Sequence, residues 1–165
     1  MQKMLLVDQE KCTGCRACEA VCSAKHEGAS NPMRSRVKVV KWEWEGFMMP
    51  FSCQQCDDAP CLVACPVKAL SRDEKLGRVV HNPERCIGCR LCVTVCPFGG
   101  MGFDPIGKKV IKCDFCDGDP VCARFCSTQA IRFVDASVVD MQKKKALAGK
   151  LLETLRSYRF AGHEI

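Results

Sequence analysis

The chain has 165 residues, 16 of them cysteine, with only 7% aromatic residues and a formal net charge of +6. That length suits one domain or two small ones sharing a core, and so many cysteines beside so few aromatics imply a fold held by more than apolar burial. Met1–Gln9 is too short and mixed for a signal peptide and no apolar run could span a bilayer, so a reducing, cytoplasmic setting is expected, where grouped cysteines indicate metal rather than disulfides.

In chain order, residues 4–8 form an expected strand leading into Cys12, Cys15, Cys18 and Cys22. Residues 36–45 alternate through Val37, Val39 and Lys41, change face at Trp42 and Trp44, and turn at Glu45–Gly46 into Phe47–Phe51, a hairpin pattern. Two apart on a strand, Trp42 and Trp44 are read as packing for a small core. Cys53, Cys56, Cys61 and Cys65 follow, then a second hairpin of residues 69–71 and 78–81 around the polar turn 72–77. Cys86, Cys89, Cys92 and Cys96 precede a third hairpin, residues 101–103 and 108–112 around 104–107. Cys113, Cys116, Cys122 and Cys126 lead to a closing strand at 130–135. Within each group, the last two cysteines fall in a short helical turn. Beyond the strand, Ser137 reads as an N-cap, and Ala148, Leu151, Leu152, Leu155 and Tyr158 make one apolar stripe of an expected C-terminal α-helix.

The cysteines thus fall into four groups of four with none left over. Groups one and three have the compact C-x2-C-x2-C-x3-C spacing, and groups two and four stretch the middle gap. The compact run is the known bacterial ferredoxin signature, in which three sulfurs converge on one iron–sulfur core and the fourth ligates a second. Two groups share two cores by exchanging fourth ligands, so four groups imply four [4Fe–4S] clusters and use all sixteen cysteines. Either way of pairing the groups joins one compact with one stretched spacing, so spacing leaves the partners open. Structural zinc uses four cysteines too, but as two knuckles separated by a long loop, which does not suit groups this dense.

Each cluster with its four thiolates carries about −2, so four bring about −8 and the loaded protein sits near −2. That argues against a nucleic-acid surface. Lys11, Arg16, Arg85, Arg90, Lys112 and Arg124 flank the cysteines and are read as compensating cluster charge. His26, His81 and His163 follow no pattern that pairs them with a carboxylate or with the cysteine groups, and are read as neither ligands nor bases. Gly99–Gly100 precedes no lysine or helix start and is read as loop geometry. No catalytic site is visible, and the chain reads as an electron carrier rather than an enzyme.

The phrases CQQCDDAPCLVACP and PERCIGCRLCVTVCPFG resemble the four-cluster iron–sulfur subunits of the dimethyl-sulfoxide-reductase type. Shortness and the Cys22–Ser23 and Cys126–Ser127 endings are most similar to the small electron-transfer subunit of bacterial tungsten aldehyde oxidoreductases. The ferredoxin-like subunit of a carbon monoxide dehydrogenase or hydrogenase system, or a freestanding polyferredoxin, is the alternative. The resemblance implies an α+β, duplicated ferredoxin-like fold of two nested two-cluster modules. The domain would span 1–136, with an outer module of 1–35 and 104–136, an inner module of 50–103, and a docking helix and tail at 137–165. It implies nested ligand sets: Cys12, Cys15, Cys18 with Cys126; Cys113, Cys116, Cys122 with Cys22; Cys53, Cys56, Cys61 with Cys96; Cys86, Cys89, Cys92 with Cys65. The implied partners are a catalytic tungsten or molybdenum oxidoreductase subunit and a flavin or NAD subunit; the apolar stripe of the C-terminal helix itself points to packing on a partner subunit or a further copy of the chain, with covering a sheet face of its own subunit as the alternative.

Overall fold

The computed structural model describes residues 3–139 and 148–149. Eight short strands pair two by two, all antiparallel, so among the described residues no sheet exceeds two strands. The ends of the domain close on each other: β1 (Lys3–Val7) pairs with β8 (Ile131–Asp135), from Lys3 opposite Asp135 to Val7 opposite Ile131. The three hairpins expected from turn chemistry are β2 (Lys38–Trp42) with β3 (Phe47–Phe51), β4 (Leu70–Asp73) with β5 (Arg78–His81), and β6 (Met101–Asp104) with β7 (Lys109–Lys112). The second is longer than expected because Arg72 and Asp73 join the ladder, where Asp73 faces Arg78 and accepts its Nε–H at 2.9 Å.

Four helices carry the third cysteine of each group. α1 (Ala17–Glu27) holds both Cys18 and Cys22 and stops at Gly28, whose φ of 71° and N–H bond to Ala24 O make a left-handed cap. α2 (Pro60–Val63), α3 (Leu91–Thr94) and α4 (Val121–Arg124) are single turns holding Cys61, Cys92 and Cys122. α1 packs on α4 and α2 on α3. Two cores result. One gathers Cys18, Cys22, Val37, Val39, Cys122 and Ile131; the other gathers Ala59, Cys61, Leu70, Val79, Cys92, Met101 and Val110.

The cysteine loops repeat a backbone feature. The residue before the second cysteine of every group is left-handed: Gly14 (φ 66°), Gln55 (φ 53°), Gly88 (φ 69°) and Phe115 (φ 58°). At Gly88 a side chain would also strike Lys108 O, 2.5 Å from an ideal Cβ. The non-glycine residues at this point cost about 1–2 kcal/mol each, a strain retained in order to curl the loop.

Trp42 and Trp44 correct the sequence expectation. β2 ends at Trp42, and Glu43–Glu45 forms a 3-10 turn closed by Gly46, so strand alternation does not extend to Trp44. Trp44 is wholly exposed, and Trp42, half exposed, leans on Phe47 with ring centroids 5.3 Å apart. Helix also begins at 136–139, where Val139 is buried. Ala148 and Gly149 are helical and exposed. The rest of the apolar stripe, and His163, lie outside the described residues.

Candidate metal centres

Cys12, Cys15, Cys18 and Cys126 line one cavity, Cys53, Cys56, Cys61 and Cys96 a second, and Cys65, Cys86, Cys89 and Cys92 a third. The remaining four also gather: the Cys122 thiol is pushed up by burial and then by neighbouring Cys113, Cys22 and Cys116. In every set three cysteines come from one group and the fourth from another, group one lying with group four and group two with group three. The local reason is helix packing. A curled loop and helical turn present three sulfurs, and the fourth comes from the neighbouring α1 (Cys22) or from just past the end of the neighbouring α2, α3 or α4 (Cys65, Cys96, Cys126).

Backbone N–H groups reach the fourth cysteines. Arg36 N–H donates to Cys22 Sγ at 3.3 Å, and Ala69 N–H to Cys65 Sγ at 3.2 Å. Burial pushes Cys18 and Cys113 up to about 12 and Cys92 up to about 11. Cys126 goes the other way. Burial raises it, but N–H groups of Ile131, Ala130 and Thr128, with the Thr128 hydroxyl, hold it below the ordinary thiol value. The donor set at each site is all sulfur, which suits an iron–sulfur core, and thiols this far up release protons as metal enters.

Of the six cations flanking cysteines, only Lys112 is buried. Its Nζ donates to Val79 O, to Cys113 O at 2.7 Å and to Gln55 Oε1 at 3.2 Å. Gln55 in turn donates to Cys113 O at 2.7 Å and accepts Val79 N–H at 2.8 Å. This knot joins the loop of group two to that of group four. Lys11, Arg16, Arg85, Arg90 and Arg124 are exposed; Arg124 pairs with Asp119 at 2.8 Å and Arg90 lies over the Phe103 ring at 3.8 Å.

The reading of the histidines needs one correction. His26 Nε2 lies 3.5 Å from Cys116 Sγ and 3.6 Å from Asp114 Oδ1. The two segments are 90 residues apart, so no local spacing could reveal the contact. His81 is half-buried. Gly100 is indeed loop geometry: a Cβ there would stand 2.7 Å from Cys53 Cα.

The sets also have an order. The Cys18 thiol raises Cys122, that of Cys53 raises Cys113, and that of Cys61 raises Cys92, so these pairs are neighbours. The Cys12 set thus adjoins the Cys113 set, the Cys113 set adjoins the Cys53 set, and the Cys53 set adjoins the Cys86 set. The two exposed cysteines, Cys15 and Cys89, belong to the Cys12 and Cys86 sets. Among the described residues no helix is long and apolar enough to cross a membrane.

Residues 44–136 match the family described as a 4Fe–4S dicluster domain, and residues 3–24 match a 4Fe–4S binding domain. The chain is 47% identical to the aliphatic sulfonate oxidoreductase, polyferredoxin-like subunit of Pyrococcus furiosus, over 74% of this chain and 70% of that protein. It is 36% identical to the putative electron transport protein YsaA of Escherichia coli, over 87% of this chain and 96% of that one. It is 31% identical to formate hydrogenlyase subunit 2 of Escherichia coli, over 88% of each. With sixteen cysteines gathered by an α+β fold of short antiparallel pairs, the chain belongs to the 4Fe–4S ferredoxin-like family of iron–sulfur electron-transfer subunits.

Proposed function

We propose that the chain holds four [4Fe–4S] clusters in the nested sets set out above and relays single electrons along them, between a catalytic oxidoreductase subunit and a second redox partner. The observation that carries this reading is the gathering of all sixteen cysteines into four all-sulfur sets, in an order whose ends bear the exposed Cys15 and Cys89. The clusters supply the one-electron chemistry. The chain supplies spacing, N–H donors to sulfur, and the buried cation Lys112 between the two middle sites. α1 packing on α4 and α2 on α3 supports two nested modules, a duplicated ferredoxin-like arrangement over 1–136, although Val110 of the outer module's range packs into the inner core.

The proposed partner is a tungsten or molybdenum aldehyde oxidoreductase subunit. The polyferredoxin-like relative, named for an oxidoreductase, supports a catalytic partner of some kind. A carbon monoxide dehydrogenase or hydrogenase system is the second reading, and the formate hydrogenlyase relative favours it. The 137–165 segment is proposed as a docking helix.

Anaerobically purified protein is expected to carry about sixteen irons and as much sulfide per chain, following from four four-iron sites. Stoichiometric zinc with little iron would end the reading. Ligand exchange is tested by Cys126→Ser, which should disturb the cluster of Cys12, Cys15 and Cys18 while the signals of the Cys86, Cys89 and Cys92 site persist. The reverse outcome in EPR spectra would require sequential pairing.

A further inference from the structure

Cys116 has a neighbour that the ligand sets do not use. His26, at the last turn of α1, is largely buried, its side chain 11% exposed. Its Nε2 faces two acceptors: the sulfur of Cys116 at 3.5 Å and Asp114 Oδ1 at 3.6 Å. An imidazole nitrogen facing only acceptors is the one that carries the proton. Asp114 is already committed elsewhere. Its Oδ1 accepts Cys116 N–H at 2.9 Å and its Oδ2 accepts from Arg36, and 3.6 Å is too long for an N–H···O bond. The larger sulfur atom is within reach.

We infer that His26 is a positioning residue that donates its Nε2–H to the Cys116 sulfur and thereby raises the reduction potential of the site of Cys22, Cys113, Cys116 and Cys122. This rests on the ligand sets proposed above. A hydrogen bond to a ligating sulfur draws off negative charge, and the reduced state, holding one more electron, gains more from it than the oxidised state. Elsewhere the donors to cysteine sulfur include backbone N–H groups, as at Cys22, Cys65 and Cys126, and the Thr128 hydroxyl, 3.7 Å from Cys126 Sγ. Asp114, fixed by Arg36 and by the Cys116 N–H, holds the loop so that sulfur and imidazole stay in register.

The test is an EPR-monitored redox titration of the anaerobic holoprotein, its His26→Leu and His26→Gln variants, with iron counted in each. In His26→Leu one potential should fall, its reduction equilibrium moving about tenfold toward the oxidised state, or about 59 mV for a one-electron couple. The signal that moves should be the one disturbed by Cys116→Ser. The other three hold, and His26→Gln, which keeps an amide donor, recovers part of the shift. Four unmoved potentials at full iron content overturn the inference and leave the ligand sets standing, as does an equal fall in all four. A parent protein without about sixteen irons removes the ligand sets and the inference together.

Discussion

Chelating the iron from the protein should unfold it, with far-UV circular dichroism and iron content lost together. The reason lies in what the core is made of. Six of the buried apolar residues among those described are cysteines, and the large side chains beside them amount to Leu70, Met101, Phe115, Ile131 and several valines. A buried side chain of that size contributes about 1.5–3 kcal/mol, too little in sum to order a chain this long. The sheets do not compensate, because each is only two-stranded and an isolated pair of strands is marginal in water. Metal binding and folding are therefore one transition. Acid should drive the same loss. Each cysteine must shed its proton to hold iron, so loading weakens as pH falls, and proton competition is strongest at sites whose thiols sit as high as Cys18 and Cys113. A chelated chain that keeps its dichroism and its dispersed NMR spectrum would contradict this account.

Replacing Lys112 by methionine should lower both stability and iron content, far beyond the effect of Lys109→Met on the same strand. Lys112 is 3% exposed, and its ammonium satisfies three oxygens that belong to different segments: Val79 O, Cys113 O and Gln55 Oε1. Methionine leaves them facing a thioether, at about 1–3 kcal/mol for each buried acceptor left without its partner, less whatever Gln55 and relaxation recover. The charge matters as well. Lys112 lowers the thiol pKa of both Cys61 and Cys113, so its removal should also make the two middle sites harder to reduce. Lys109 is exposed, and its loss should stay within about 0.5 kcal/mol. Equal melting temperatures for the two variants would show that the buried knot carries no weight.

What could be read ahead of the structure was whatever is local in the chain. Cysteine loops close over a few residues and hairpins close through their own turns, so the four groups, the three hairpins and the closing strand at 131–135 were all legible from spacing and turn chemistry. Spacing could not choose a pairing of the groups, because the gathering of Cys126 with Cys12 depends on α1 lying against α4, an effect of packing between distant segments. The same limit hid His26 beside Cys116 and Gln55 between Val79 and Cys113. Trp44 failed for a different reason. Period-two alternation holds only while the backbone is extended, and a 3-10 turn at Glu43–Glu45 takes over before that side chain is reached. Charge was read too generously, since five of the six flanking cations are exposed and only Lys112 is enclosed.

The positions of Cys15 and Cys89 decide how the protein wears out. Oxygen and peroxide attack sulfur according to its accessibility, and these two cysteines are the exposed ones, in the first and last sites of the series, whereas Cys18, Cys22, Cys61, Cys92, Cys113 and Cys122 are buried. With four clusters in the proposed sets, damage begins at the sites of Cys15 and Cys89 and reaches the other two last. A preparation handled briefly in air would keep much of its colour while being unable to accept or deliver an electron, so bleaching is a poor gauge of how much working protein remains.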